Sequence, residues 1–179
     1  AGVRPGVQLT GGDVVVKDGK LTGLLIDNAI DLVAIKIPEA NKEELGKALS
    51  AAEKNCFEMG LTTVDDCGLS HKTVDIIREL QDSGKLKMRL YVMLSDAPQN
   101  FDYLEKKGII HTGRLHVRGF KLYGDGALGS RGACLLEPYA DRSGHYGFLL
   151  SDPSHFDSVA AWMIDRQFQM CTHAIGDSG

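Results

Sequence analysis

Two side chains with metal-binding chemistry stand near the ends of two strand-like runs. Lys121 lies toward the end of residues 117–123, just before a glycine-rich loop, and His173 ends residues 168–173. Neutral imidazole is a good ligand for divalent metals. A lysine with a pKa depressed by desolvation can react with carbon dioxide to form a carbamate that binds metal as a carboxylate does. These residues suggest a metal site, but a solvated lysine and a hydrogen-bonded structural histidine remain open alternatives.

The alternation of side chains along a strand predicts the direction in which these two residues point. In an extended strand, Val117 and Lys121 share one face, while Phe120 and Leu122 lie on the other. The same alternation places His173 on the more polar face of the last run. Small or polar residues on one face and large apolar ones on the other are typical of a barrel whose helices cover the apolar side.

Composition limits the classes of protein to which the chain can belong. Its 179 residues are 43% hydrophobic and 25% charged, as in ordinary soluble globular domains. The net charge of −4, without a basic cluster, argues against nucleic-acid binding. No apolar run approaches the ~20 residues that cross a bilayer, so we expect no membrane contact. The four cysteines form no CxxC pair, which favours a reducing, cytoplasmic location.

Helical and extended patterns alternate along most of the chain. The first forty residues differ, because a hairpin about Asp18-Gly19 is followed by a helix. We assign residues 1–40 to this hairpin-and-helix segment and residues 41–179 to a second domain, which contains Lys121 and His173. We predict helices over residues 27–37, 41–59, 70–84, 100–107 and 153–166, and strands over 61–66, 88–94, 117–123 and 168–173, with a short one over 146–150. This order predicts an α/β fold with a parallel sheet, either an open doubly wound sheet or part of a (β/α)8 TIM barrel.

A long loop follows the Lys121 strand. Residues 124–146 exceed the usual length of a connection between a strand and a helix, and long loops at the carboxyl ends of parallel strands commonly build active sites. We expect Asp125, Arg131 and Tyr139 to help shape a substrate pocket there. The glycines in residues 124–130 also allow an alternative, an α/β protein that cradles an anion, although the run matches neither the P-loop nor the GxGxxG dinucleotide fingerprint.

Five segments, in order along the chain, carry a resemblance to a known family. They are residues 11–25, 60–68, 121–131 and 136–139, and the run Thr172-His173-Ala174-Ile175-Gly176-Asp177. The chain resembles the YtcJ-like branch of the metal-dependent amidohydrolases, the group that includes N-substituted formamide deformylase. The resemblance implies about four βα units of a TIM barrel, one or two divalent metals, usually zinc, and hydrolysis of amide or formamide-like, non-peptide carbon–nitrogen bonds. It also implies that Lys121 is a metal-bridging carboxylated lysine and that His173 is a metal ligand.

The chain departs from the family pattern in its metal ligands. The family's first-strand His-x-His pair is absent, since no such spacing occurs in this sequence. Gln167 also stands where the family usually has glycine. We therefore expect a fragment of a longer enzyme that is inactive alone and associates with copies of itself through its open sheet edges. A related scaffold that has lost catalysis and serves in binding is the second alternative.

Overall fold

The structure, a computed structural model, describes residues 2–179, which form two units. The first unit contains residues 2–38, 123–159 and 172–179, and the second contains residues 39–122 and 160–171. The division at residue 40 stays a prediction. The elements are, in chain order, β1 Gly12–Lys17, β2 Lys20–Asp27, a 3₁₀ turn Asn28–Ile30, α1 Asp31–Ala34, α2 Lys42–Glu58, β3 Thr63–Leu69, α3 His71–Asp82, β4 Arg89–Ser95, α4 Pro98–Lys107, β5 Ile110–His111, β6 Leu115–Tyr123, α5 Pro153–Asp165 and β7 Gln169–His173.

The main sheet confirms the predicted mixed α/β architecture with parallel strands. Strand β3 pairs in parallel with β4, and β4 pairs in parallel with β6. Strand β7 pairs with β6, while the two-residue β5 runs antiparallel to β6. Helices connect the successive parallel strands, as such crossovers require. Membership of a (β/α)8 barrel stays a prediction.

The hairpin forms where the sequence predicts it, but the helix that follows is much shorter. Strands β1 and β2 pair in antiparallel fashion around Asp18 and Gly19, whose φ angles of 50° and 74° suit a two-residue hairpin turn. In place of a helix over residues 27–37, the chain makes a 3₁₀ turn and then the four-residue α1. Asp27 precedes the 3₁₀ turn with a positive φ of 48°, and its side chain makes no capping hydrogen bond. It therefore does not start a regular helix.

Capping residues fix the starts of the longer helices. The Asn41 side chain accepts hydrogen bonds from the backbone N–H groups of Glu43 and Glu44, and Glu44 Oε2 accepts the Asn41 N–H in return. This reciprocal capping box confirms the predicted start of α2. At α3, Ser70 Oγ accepts the Thr73 N–H. The predicted helix over residues 70–84 is therefore also confirmed.

Aromatic side chains form the core of the second unit behind β6. Phe120 is fully buried and stacks on Phe101, with ring centroids 4.6 Å apart. Trp162 of α5 meets the Phe120 ring edge-on at 5.8 Å and stacks on Phe168 at 5.3 Å. Such aromatic pairs add about 0.5–1.5 kcal/mol each beyond the area that they bury. This cluster fastens α4 and α5 to the outer face of the sheet.

A register shift in β6 changes the predicted alternation. Val92 pairs with Val117, but the next residue of β4, Met93, pairs with Gly119, so Arg118 is an extra residue in β6. An extra residue reverses the phase of the side chains on either side of it. Both valines are fully buried on the helix-covered face.

The shift corrects one of the predicted neighbours of Lys121. The prediction that Val117 shares a face with Lys121 is wrong, because the bulge lies between them. Beyond the bulge the alternation is regular. Phe120 and Leu122 are buried on the helix-covered face, and Lys121 shares the opposite face with Gly119.

None of the helices that the structure describes combines the length and the apolar character that a bilayer span requires. All four cysteines are free. The cytoplasmic location expected from the sequence stays a prediction.

Candidate metal site and adjoining loops

Lys121 lies in the second unit, two residues before the end of β6, and is half-buried. A Cβ atom added to Gly119 would lie 3.0 Å from Met93 Cγ, so the face that Lys121 shares is closely packed around Gly119. Burial and the neighbouring Cys67 raise the pKa of the Cys171 thiol, and the charge of Lys121 opposes them. The charge of Lys121 therefore acts on the Cys171 thiol of β7.

Polar groups continue along the same face of the sheet. The Tyr91 hydroxyl donates a hydrogen bond to Gln169 Oε1 and joins β4 to β7. Burial is the largest of the effects that raise the pKa of Tyr91. The edge of the His116 ring meets the Tyr91 ring at 5.3 Å. This face thus carries several polar side chains around Gly119 and Met93, in contrast to the outer face with its cluster of apolar aromatic rings.

His173 lies in the first unit at the last position of β7 and is half-buried. Its carbonyl oxygen accepts the Gly124 N–H at 2.8 Å, and its ring centroid is 5.7 Å from that of Tyr123. Burial acts to raise the pKa values of Asp27 and Asp125, and the charge of His173 acts in the opposite direction; overall the pKa of Asp27 is raised and that of Asp125 is lowered. Two acidic side chains therefore lie within electrostatic range of the imidazole.

Lys121 and His173 do not by themselves make a complete metal site. They belong to different units, and among residues 2–179 no three His, Cys, Asp or Glu side chains are grouped so that they could hold a metal ion. Tight zinc sites commonly need at least three protein ligands. The donors of this chain therefore fit only part of the metal site that the resemblance implies.

Asp125 is fully buried in the first unit, and its carboxylate binds backbone. Oδ2 accepts the N–H groups of Cys134 at 2.8 Å and Gly176 at 2.7 Å, and Oδ1 accepts the Ile175 N–H at 2.9 Å. Burial raises the pKa of Asp125, but these three hydrogen bonds and the charge of His173 together lower it below its ordinary value. The residue joins the loop after β6 to the segment after β7. Its predicted part in shaping a substrate pocket stays a prediction.

Asp27, at the end of β2, is a residue of this region that sequence reasoning missed. Its φ and ψ of 48° and −123° resemble the first central position of a type II′ turn, which favours glycine. Oδ2 is buried and has no hydrogen-bond partner among the described residues. Burial, followed by the charge of Asp125, raises the pKa of this carboxyl group. The only signal in the sequence is an acidic residue directly after the apolar run 24–26.

The Asp27 carboxyl group occupies the glycine-rich loop. A Cβ atom added to either Gly126 or Gly132 would collide with Asp27 Oδ2. The loop closes around the carboxyl group through a hydrogen bond from Gly126 N to Gly132 O at 3.1 Å. Because Oδ2 receives no hydrogen bond there, this slot lacks the N–H donors of an anion-binding loop. The geometry does not favour the alternative of an anion-binding protein.

The segment after His173 packs tightly on the long loop. A Cβ atom added to Gly176 would collide with the Cys134 carbonyl group. Asp177 Oδ1 accepts the Leu136 N–H at 2.9 Å. The Gly176-Asp177 pair therefore has a structural use: the glycine permits close approach, and the carboxylate satisfies a loop amide.

The other two predicted loop residues lie in different surroundings. Tyr139 is buried, and its hydroxyl donates to the Ala133 carbonyl oxygen at 3.0 Å. Arg131, with a positive φ of 62°, binds the Asp141 carboxylate through two nitrogens, with Nε 3.0 Å from Oδ1. Tyr139 thus supports the loop from inside, whereas Arg131 is partly accessible.

Arg131 borders a cleft within the first unit. The cleft has a volume of about 710 Å³ and lies between the β1–β2 hairpin and the long loop. Aliphatic residues of both hairpin strands line one side, and Arg131, Arg142 and Asp141 line the other. Arg142 also reaches Asp13 of the hairpin at 3.3 Å. A cleft with apolar walls and a few charged groups suits a small organic molecule.

Comparison with known proteins identifies the family. The sequence profile of the Amidohydrolase family matches residues 6–179. Putative amidohydrolase YtcJ of Bacillus subtilis (strain 168) is 30% identical over 185 residues, which cover 99% of this chain and 34% of that protein. Protein LONG AFTER FAR-RED 3 of Arabidopsis thaliana is 31% identical over 180 residues, covering 93% of this chain and 31% of that protein. The chain thus spans about a third of the length of these relatives.

A solved structure with a similar fold points the same way. An uncharacterized metal-dependent hydrolase from Pyrococcus furiosus matches with a TM-score of 0.74 and 28% identity, over 84% of this chain and 32% of that one. The fold of this chain is therefore similar to part of that hydrolase. The chain belongs to the amidohydrolase family, and this membership confirms the predicted resemblance.

Proposed function

We propose that this chain is part of a metal-dependent amidohydrolase that cleaves amide or formamide-like, non-peptide carbon–nitrogen bonds. Family membership over residues 6–179 is the observation that carries the proposal. The positions of Lys121 and His173 near the ends of β6 and β7 support it, since the active sites of (β/α)8 barrels are built at the carboxyl ends of their strands. On this proposal the sheet is about half of such a barrel.

Lys121 and His173 are the proposed metal ligands. The divalent metal, for which we propose zinc, would polarise the carbonyl group of the substrate and activate a water molecule. His173 would offer a neutral ring nitrogen, and Lys121 would offer a carboxylate oxygen after its neutral amine adds to carbon dioxide and releases a proton. The other ligands would come from elsewhere in a longer enzyme, so we propose that the isolated chain is inactive.

The proposed substrate is a small molecule with an amide-type bond and an apolar part. The cleft beside the hairpin supports this, because aliphatic walls face a partly exposed guanidinium group, that of Arg131. Arg131 already binds Asp141 through Nε and Nη2, so a substrate oxygen would be bound by the remaining N–H donors of the guanidinium group. Asp125 and Tyr139 would act indirectly, because their polar atoms already bind loop backbone.

Zinc titration tests the ligand assignment. In calorimetry, the isolated chain is expected to show no submicromolar zinc binding, because two donors do not hold the ion tightly. In the longer polypeptide, His173→Ala and Lys121→Ala should each lower bound zinc, measured by mass spectrometry of the metal. His111→Ala is the control, since that histidine is exposed on β5. Submicromolar binding by the isolated chain that His173→Ala abolishes would contradict the proposal of inactivity.

Carbon-13 NMR tests the lysine. In buffer with ¹³C-bicarbonate, the isolated chain should give no carbamate signal, because no metal stabilises the adduct. The zinc-loaded longer enzyme should give a signal that Lys121→Ala removes. A carbamate signal in the isolated chain would overturn the first expectation, and its absence from the loaded enzyme would overturn the role of Lys121.

We also propose that the isolated chain associates with itself through strand edges. Among the described residues, β3 pairs only with β4, and β7 only with β6. Unpaired backbone groups along such edges are templates for pairing with another chain. Sedimentation at micromolar concentration should therefore show dimers or larger species. A clean monomer would contradict this proposal.

A further inference from the structure

Asp27 combines several features that cost free energy. A non-glycine residue with φ of 48° and ψ of −123° is strained, because this conformation favours glycine. Its Oδ2 atom is buried without a hydrogen bond, and the charge of Asp125 acts against its ionisation. Glycine at this position would avoid all of these costs. Several unfavourable features at one residue indicate that its side chain has a specific role.

The surroundings of the carboxyl group show what that task can be. Asp27 Oδ2 enters the loop after β6 so closely that neither Gly126 nor Gly132 has room for a Cβ atom. The two glycines are hydrogen-bonded to each other across the loop. The carboxyl group therefore fills the loop as a wedge, and it fits only because both contact residues are glycines.

The wedge is connected to His173 through a short series of contacts. Asp125 directly precedes Gly126, and its carboxylate accepts the N–H groups of Ile175 and Gly176, which follow His173. On the other side, Gly124 N donates to the His173 carbonyl oxygen at 2.8 Å. A loop held in one conformation would thus hold the backbone on both sides of the histidine.

We propose that Asp27 is a positioning residue for His173. Its carboxyl wedge holds the Gly126–Gly132 loop in one conformation, and Asp125 transmits this order to the backbone after β7. The hairpin that carries Asp27 thereby contributes to the site without touching a ligand. The inference rests on the proposed function only for the identity of what His173 binds.

Three variants separate the wedge from ordinary backbone effects. Asp27→Gly removes the wedge and relieves the positive φ, and Asp27→Asn keeps the shape of the side chain. Asp18→Gly is the matched control, because Asp18 has a similar φ of 50° but is exposed in the hairpin turn. All three can be made in the 179-residue chain.

Amide hydrogen exchange measured by NMR reads the order of the loop. In Asp27→Gly, exchange at Cys134, Ile175 and Gly176 should accelerate at least about tenfold, while amides of β4 stay as in the unaltered chain. The His173 ring signals should also broaden or split. Asp27→Asn should restore protection, and Asp18→Gly should change neither set of signals.

The outcomes separate this inference from the proposed function. Unchanged exchange at Ile175 and Gly176 in Asp27→Gly would overturn the wedge, as would equal acceleration throughout β4, which indicates general destabilisation. Zinc addition to the unaltered longer enzyme tests the function independently: if the His173 signals do not respond, the metal role fails. The exchange data would still decide the wedge in that case.

Discussion

Different kinds of interaction stabilise the aromatic core behind β6 and the loop that follows β6. Behind the strand, Phe101, Phe120 and Trp162 pack ring against ring. After the strand, the loop packs around the buried carboxylate of Asp125 and around Asp27, whose Oδ2 atom is buried. Apolar packing tolerates substitutions of similar volume, whereas a buried carboxylate requires each partner in place. We therefore expect the aromatic core to set global stability and the loop to set local order.

Truncation in the aromatic core should have the largest effect. Phe120→Ala removes a fully buried ring that contacts three other rings, and we expect a loss of about 3–5 kcal/mol in the free energy of unfolding. Urea denaturation measures it. Phe57→Ala is the control, because that side chain is exposed and should cost much less. Equal losses in the two variants would remove the basis of the comparison.

Removing the buried carboxylate of the loop should have the next largest effect. Asp125→Ala leaves three backbone N–H groups without an acceptor, and we expect a cost of about 3 kcal/mol. Asp177→Ala frees one N–H at an exposed position and should cost about 1 kcal/mol. If the two substitutions cost the same in denaturant unfolding, the carboxylate of Asp125 does not organise the loop.

The two carboxyl groups should also respond to pH with opposite signs. The pKa of Asp125 lies below its ordinary 3.8, so its ionised form stabilises the fold above that pH and the contribution is lost as the pH falls through the lowered pKa. The pKa of Asp27 is raised, so its contribution weakens as the pH rises from 3.8 through the raised pKa.

Stability measured against pH tests this contrast. Asp125→Asn should reduce the loss of stability in acid, and Asp27→Asn should flatten the decline above the ordinary pKa. Curves with the same shape as that of the unaltered chain would show that neither group differs in pKa between the folded and unfolded states.

The smallest expected effect on stability lies beside the aromatic core, at the turn between α5 and β7. Gln167 has a φ of 60°, which a glycine adopts without strain. Gln167→Gly should therefore stabilise the chain by about 1 kcal/mol in thermal or urea unfolding. Gln167→Ala keeps the strain and separates loss of the side chain from relief of the backbone. A destabilised glycine variant would show that the Gln167 side chain contributes more than the strain costs.

Much of the fold could be predicted because its signals are local. Asn41 and Glu44 mark the start of α2, and the Asp18-Gly19 pair marks the hairpin turn. The helix expected from Asp27 is replaced by a 3₁₀ turn and the short α1, because Asp27 has a positive φ and its carboxyl group packs against a loop that is distant in sequence. The predicted face of Val117 was also wrong. One extra residue in β6 reverses the alternation of the side chains, and the sequence pattern does not show where that residue is inserted.

The candidate site divides in the same way. Sequence alone determined that Lys121 and His173 stand near the ends of two strands and that the chain belongs with the amidohydrolases, because strand ends and motif order are properties of the linear chain. Only the tertiary structure decided that Asp125 binds backbone and that Asp27 fills a loop of glycines. Apart from the contact of Asp125 with the nearby Cys134, those roles depend on atoms about 50 to 100 residues away, whose approach arises from packing rather than from local sequence.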